Sequence, residues 1–287
     1  MSHEDLPLPD PDAAARVLDE AGDATVLVVG DAMLDRYLSG RVDRISPEAP
    51  VPVVRVEEDR EAAGGAANVA VGVAALGPRC RLVATVGRDR DADRLADLLD
   101  GAGVDPGGLV ADPERPTTVK SRVLARHQQM LRVDRESAEP LGEPVQDRVL
   151  ERALEELDGV DVVALVDYDK GVLAGEVGRR IVAAARERGV PSVVDPKLRS
   201  FFDYGGAHLF KPNGNELAGA LGREDPPLGD GELREMRRRL GCRYLLVTLG
   251  EEGMILVGEA DRRIVRIPSE AREVYDVSGA GDTVTAV

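Results

Sequence analysis

Runs of apolar, often β-branched residues alternate along this chain with stretches whose apolar positions recur every three or four residues. The runs at 25–30 (TVLVVG), 81–87 (RLVATVG), 161–167 (DVVALVD), 190–195 (VPSVVD) and 244–248 (YLLVT) are nearly continuous in apolar side chains. That is the pattern of parallel strands covered on both faces. The stretches 66–76, 91–102, 145–157, 176–188 and 232–240 carry the helical period, and Gly77, Gly103, Gly189 and Gly241 follow four of them as C-terminal caps. Strand–helix alternation predicts an α/β layered fold with a mostly parallel central sheet. Ligands in such sheets bind beyond the carboxyl ends of the strands.

Two segments break the rhythm. Residues 51–57 (VPVVRVE) and 117–134 read as strands with no helix of useful length between neighbours. The second reads as a hairpin, 118–124 and 130–134 about a turn at 125–128, with only partial alternation at Val119, Arg122, Val123, Leu131 and Val133. These strands, within about 37–60 and 115–135, predict a small β lid standing off the main sheet. The proline-, glycine- and aspartate-rich stretch 222–231 is a loop within a single domain spanning 1–287.

Composition narrows the partners. The chain is 43% hydrophobic and 31% charged, enough apolar content for a sizeable core. A net charge of -16, with aromatics at 3% and no Trp, argues against nucleic acid and anionic membrane as partners. Lysine occurs only at Lys120, Lys170, Lys197 and Lys211, so each lysine inside a motif carries weight. Acidic, lysine-poor chains fit a salt-adapted source or a GC-rich genome. Cys80 and Cys242 lie far apart with no CxxC pair, as expected of buried free thiols in a reducing cytoplasm. The acidic start lacks the basic and apolar regions of a signal peptide, and no run approaches the length of a membrane span.

Five motifs carry candidate chemistry. Gly279-Ala280-Gly281-Asp282, preceded by Asp276 and Ser278, places two small flexible residues where a loop enters a helix. Backbone N–H groups there can hold an anion, and Asp282 on the first turn can act as a base. The bland alternative is a helix start with glycines used for packing. Gly64-Gly65 precedes a helix whose first turn carries Asn68, a donor and acceptor suited to a sugar hydroxyl; the alternative is a tight turn into a core helix. Asp31 ends the first strand, well placed for hydroxyl groups, and Asp35 is either functional or solvated. Asn213 and Glu216 share a helix face if a helix starts at Pro212, and either hold a hydrated Mg²⁺ or form a capping box. Thr248, Gly250 and Gly253 join two strands in a glycine turn that could pass close to a nucleotide.

Taken in order, these pieces resemble the ribokinase-like, or PfkB, carbohydrate kinases. Residues 64–77 (GGAANVAVGVAALG) are similar to the family's N-terminal signature and 276–282 (DVSGAGD) to its C-terminal one. Within the family, 30–37 (GDAMLDRY), 44–54 (RISPEAPVPVV), 132–136 (RVDRE), 167–173 (DYDKGVL), Asp195-Pro196-Lys197 and 276–284 (DVSGAGDTV) resemble the kinase domain of the heptose-7-phosphate kinases. Those enzymes phosphorylate the anomeric hydroxyl of D-glycero-D-manno-heptose 7-phosphate with ATP, on the route to ADP-heptose. Another sugar, or a sugar- or nucleotide-binding protein without turnover, are the alternatives.

The resemblance implies roles. Asp282 would be the general base, and Gly279, Ala280 and Gly281 the anion hole. Asp31, Gly64, Gly65 and Asn68 would hold the sugar. Asn213 and Glu216 would order Mg²⁺, through water, and the phosphates. Thr248, Gly250 and Gly253 would line the nucleotide site, and Lys197 would meet a phosphate. Arg122, Arg132 and Arg135, by charge and lid location, are candidates for the substrate's own phosphate. ATP and Mg²⁺ are the implied cofactors, with a monovalent cation near Asp276. Apart from the resemblance, lid strands with exposed edges often pair between subunits, so a homodimer through them is expected. Ser278 stands where the family usually has Thr, and Asp169 where a small residue is commoner. Family members continue through further helices beyond the position of Val287, so the resemblance implies a fold truncated at the C-terminus.

Overall fold

The computed structural model describes residues 11–126, 128–137, 139–259, 264–269 and 279–287. The Asp276 and Ser278 expectations lie outside these residues. Helix α1 (Pro11–Ala21) leads into strand β1 (Thr25–Gly30), and the chain passes through Asp31 directly into β2 (Ala32–Ile45) and back along β3 (Pro52–Gly65). There follow α2 (Ala66–Ala75), β4 (Arg79–Val86), α3 (Arg90–Gly101), β5 (Leu109–Ala111), and the hairpin β6 (Val119–Ala125) and β7 (Gln128–Arg135). The second half runs α4 (Glu143–Glu156), β8 (Val162–Val166), α5 (Val177–Glu187), β9 (Ser192–Asp195), β10 (Leu209–Phe210) and α6 (Gly214–Ala220). It continues with α7 (Asp230–Leu240), β11 (Tyr244–Thr248), β12 (Met254–Val257), β13 (Ile264–Ile267) and α8 (Ala280–Ala286).

Among the described residues, nine strands form the main sheet in the order β13-β12-β11-β10-β9-β8-β1-β4-β5. Pairing is parallel from β5 across to β11 and antiparallel at β11–β12 and β12–β13. Alternate residues of β1 explain the burial of both faces. Leu27 and Val29 pack with Val149, Ile181 and Leu233 from α4, α5 and α7. Val28 packs with Val69, Val73, Leu95 and Leu99 from α2 and α3. Expected helix ends also hold: α7 stops at Gly241, which takes a left-handed φ of 63°.

The lid is a four-stranded sheet, β3-β2-β6-β7. Its first two strands are longer than the pattern predicts, because charged residues occupy both faces and hide the period. Gly64 and Gly65, for which a tight turn is the alternative reading, are the last two residues of β3 and lead straight into α2. The helix expected from Pro212 starts instead at Gly214, with Asn213 as its N-cap. Cys80 and Cys242 are buried free thiols, and burial pushes both up to about 12. Among the described residues, no helix is long and apolar enough to cross a membrane.

Candidate active site

Strand order fixes where the site lies. From β1 the chain moves to one side for β4 and β5, then returns to the other side of β1 for β8 and β9. The carboxyl ends of β1 and β8 therefore flank a topological switch point, the usual ligand crevice of such sheets. Asp31 follows β1, and Asp167 and Tyr168 follow β8. The lid rises from the same place, because β2 continues the chain leaving β1 and β3 leads directly into α2. At this junction Gly65 has φ 58°, and a Cβ there would collide with the Asp31 carbonyl, so a side chain is excluded.

Asp282 sits on the first turn of α8 and is 5% exposed. Its Oδ2 accepts a hydrogen bond from Asn68 Nδ2 at 2.8 Å and its Oδ1 accepts one from the Tyr168 hydroxyl at 2.6 Å. Burial raises its pKa; the two hydrogen bonds and Lys211 pull the other way without cancelling that rise. Gly279, the N-cap, is left-handed at φ 82° and lies against the Asn68 amide. Helix α8 is pinned from below: Thr285 donates to Asp195 Oδ2 at 3.0 Å, and Asp195 pairs with the buried Lys211 at 2.9 Å. Gly72 of α2 lets Ala286 approach closely.

A cavity of about 410 Å³ lies between this floor and the lid. Gly65, Asn68, Tyr168, Gly279 and Asp282 line the floor, and Asp35, Tyr37, Lys120, Arg122 and Arg132 line the lid side. Arg122 pairs with Asp35 at 2.7 Å and stacks over Tyr37, 5.3 Å from its ring centre. Lys120 reaches Asp134 at 3.1 Å and Glu136 at 3.0 Å. The cavity thus has a buried carboxylate at one end and three cationic side chains at the other. A larger cavity of about 850 Å³, beside the start of α3, holds none of the expected site residues.

Several expected residues stand elsewhere. Asp31, expected to hold the sugar, is buried behind the cavity wall. Its carboxylate accepts N–H bonds from Tyr168 at 2.8 Å, Lys170 at 3.0 Å and Val172 at 3.1 Å. The loop after β8 folds over Asp31 because β8 lies next to β1. Gly64 is also behind the wall, close under Asp35. Arg135 lies outside the cavity, reaching Asp91 at 3.1 Å and Asp89 at 3.5 Å.

The residues expected around a nucleotide gather past the ends of β9, β10 and β11. Asn213 and Glu216 form a reciprocal capping box, with both bonds at 2.8 Å. The remaining Glu216 oxygen pairs with Lys197, whose ammonium lies 5.1 Å from the centre of the Tyr168 ring. Thr248 bridges to Asn213 at the end of β11. Gly250 begins a short 3-10 turn, and a Cβ on Gly253 would strike the Ile267 carbonyl.

Sequence reasoning passed over Tyr168, Asp195, Lys211 and Lys120 as site residues. Tyr168 and Lys211 follow strands β8 and β10 and Asp195 ends β9, nearly the same placement that singled out Asp31. The rarity of lysine pointed at the other.

The family model for the pfkB family carbohydrate kinases matches residues 23–287, and the chain belongs to that family, phosphotransferases acting on a sugar hydroxyl. It is 43% identical over 278 residues to the bifunctional protein HldE of Rhodospirillum rubrum, covering 96% of this chain and 55% of that protein. The chain spans about half the length of the curated relatives it matches. Its fold is similar to the tetrameric inhibited form of Escherichia coli phosphofructokinase-2, with TM-score 0.74, 21% identity, and coverage of 92% and 85% of the two chains. It is also similar to Arabidopsis thaliana ribokinase complexed with ribose and ATP, with TM-score 0.69, 22% identity, and coverage of 92% and 84%.

Proposed function

We propose that the chain transfers the terminal phosphoryl group of ATP to the anomeric hydroxyl of D-glycero-D-manno-heptose 7-phosphate, giving the 1,7-bisphosphate. One observation carries the reading: a single cavity has buried Asp282 at its floor and Lys120, Arg122 and Arg132 at its lid. A sugar that reacts at one end and carries a phosphate at the other suits that polarity. The resemblance of the lid motifs to heptose-7-phosphate kinases and the likeness to HldE support it.

In this reading Asp282 takes the proton of the acceptor hydroxyl, and the N–H groups of Gly279, Ala280 and Gly281 meet the transferring phosphoryl oxygens. Asn68 and Asp35 hold sugar hydroxyls, with Gly65 giving them room. Asp31 acts from behind, by fixing the loop after β8. Lys197, Thr248, Gly250 and Gly253 serve the nucleotide side. The transition state is loose, so positioning and charge neutralisation dominate.

Asn213 and Glu216 fit Mg²⁺ through its waters. Their oxygens already accept the capping bonds and the Lys197 ion pair, and the lone pairs that remain can accept from the waters of a hydrated ion. Mg²⁺ would neutralise ATP charge there. A monovalent cation near Asp276 is a further expectation, which activity measured in potassium against sodium salts tests.

A homodimer through the lid belongs to the same proposal. Leu131 and Val133 flank Arg132 on β7, so they face away from the cavity, and they are 50% and 54% exposed. A second copy of the lid would cover them; sedimentation of Val133→Lys as a monomer and wild type as a dimer is the expected result. The reaction and its soluble substrates fit the cytoplasm.

ADP release measured with heptose 7-phosphate, fructose 1-phosphate, ribose and fructose tests the function. Preference for heptose 7-phosphate supports it, and preference for another sugar replaces the substrate. ATP binding by calorimetry without turnover on any of them would make the chain a binding protein.

A further inference from the structure

We infer that Tyr168 is a positioning residue with two separable parts: its hydroxyl sets the Asp282 carboxylate for proton transfer, and its ring supports the Lys197 ammonium on the nucleotide side. The inference rests on the reading of Asp282 as the base.

Three contacts define the part. The phenol donates to Asp282 Oδ1 at 2.6 Å, while Asn68 holds Oδ2. Each carboxylate oxygen then has one lone pair left for an incoming hydroxyl, and rotation of the carboxylate would break a bond on either side. The ring of the same residue faces the Lys197 ammonium at 5.1 Å, and Lys197 in turn pairs with Glu216. Cation–π contact of this kind is favourable at partly buried sites. Burial and the neighbouring Asp282 raise the phenol far above its ordinary range, so it remains a donor at any working pH.

The loop that carries Tyr168 is over-determined. Asp31 accepts the N–H groups of Tyr168, Lys170 and Val172. Asp169 adopts φ 56°, unusual for a residue with a side chain, and its N–H is held by Asp167 Oδ1 at 2.8 Å. Tyr204 fixes the other Asp167 oxygen at 2.7 Å, and the Lys170 ammonium reaches Glu136 at the lid edge at 2.7 Å. So many bonds on five residues fix where the Tyr168 hydroxyl sits. Other groups acting on the Asp282 charge are Asn68 from α2, Asp195 at the end of β9 and Lys211 just after β10.

Two variants separate the parts. Tyr168→Phe keeps the ring and removes the hydroxyl; Tyr168→Leu removes both. For Tyr168→Phe, kcat should fall roughly 10- to 100-fold, as loss of a hydrogen bond to a charged group predicts, with KM for ATP unchanged. The acidic limb of its pH–rate profile should move to higher pH, since the lost donor stabilised the charged carboxylate. Tyr168→Leu should add a rise in KM for ATP. A readout independent of turnover is the ¹³C carboxyl titration of Asp282, assigned by its absence in Asp282→Asn; its midpoint should rise in Tyr168→Phe. An unmoved midpoint overturns the hydroxyl part, even if kcat falls, because the loss would then be structural. An unchanged KM for ATP in Tyr168→Leu overturns the ring part. If the wild-type chain phosphorylates none of the sugars, the proposed function fails, and the carboxyl titration still decides the hydroxyl part.

Discussion

The Asn68 amide and the Asp282 carboxylate meet at 2.8 Å across 214 residues of chain, joining the first turn of α2 to the first turn of α8. The two family signatures are therefore one hydrogen-bonded unit. Asn68→Asp should turn a donor–acceptor pair into two carboxylates that cannot both ionise cheaply. Relative to wild type, the thermal midpoint of this variant should fall as pH rises from 5 to 8, and activity at pH 7 should be largely lost. Scanning calorimetry at the two ends of that range checks it; a deficit that shrinks toward pH 8 would contradict the pairing.

Asp282→Asn preserves shape and removes the carboxylate proposed as the base. The expected fall in kcat is roughly 10²- to 10⁴-fold, the usual worth of a positioned proton acceptor. ATP affinity measured by calorimetry should hardly change. Burial raises the Asp282 carboxyl above 3.8, so wild-type activity should fall as pH drops through that raised value. The residual rate of the variant should be flat over the same range. A variant that turns over normally would remove Asp282 from the role of base.

Arg122 and Arg135 are close in sequence and differently placed in the structure. Arg122 lines the cavity with its side chain 13% exposed, whereas Arg135 is 58% exposed and paired with Asp89 and Asp91. Arg122→Ala should raise KM for a sugar phosphate about tenfold or more, as loss of a charge-assisted contact predicts. It should leave KM for unphosphorylated sugars nearly unchanged. Arg135→Ala should change neither, since exposed ion pairs contribute little. Equal effects of the two substitutions would place the second phosphate elsewhere.

Much of this was legible in the sequence, and the reasons for the rest are physical. Strand β1 has the bounds its apolar run predicts, and α2 begins at Ala66 as expected, because buried parallel strands and glycine-punctuated helices write strong local signals. Strands β2 and β3 are 14 residues each, whereas the sequence pattern marks only 51–57 of β3 and gives β2 no bounds, since Arg36, Asp43, Arg55 and Asp59 lie in half-buried or exposed stretches with no alternation to mark the period. Asp282 and Asn68 stood out because glycines announce close approach. Tyr168 did not: its partner lies 114 residues away, and only the adjacency of β8 and β1 brings the loop there. The same adjacency moved Asp31 from the cavity to the wall. That relation is tertiary and leaves no local trace.

The wall itself makes a prediction about stability. Asp31 and Asp167 are buried at 1% and 3% exposure, and burial, reinforced for Asp31 by the charge of Asp167, raises Asp31 from 3.8 to about 6. Asp167 is raised as well, chiefly by burial. A carboxyl whose pKa is higher folded than unfolded binds more protons in the folded state between the two values. Stability from this group is therefore greatest below about pH 4 and declines as pH rises toward 6, opposite to a salt-bridged aspartate. At neutral pH the raised pair is therefore a cost to stability. Three backbone N–H bonds keep Asp31 in place despite that cost, because it orders the loop carrying Tyr168. Asp167→Asn can still accept the Asp169 N–H and bond Tyr204, while relieving the repulsion. Its urea midpoint should exceed that of wild type at pH 7, and the difference should close near pH 4. A difference that grows toward pH 4 would mean that the two carboxylates are not held as a repelling pair.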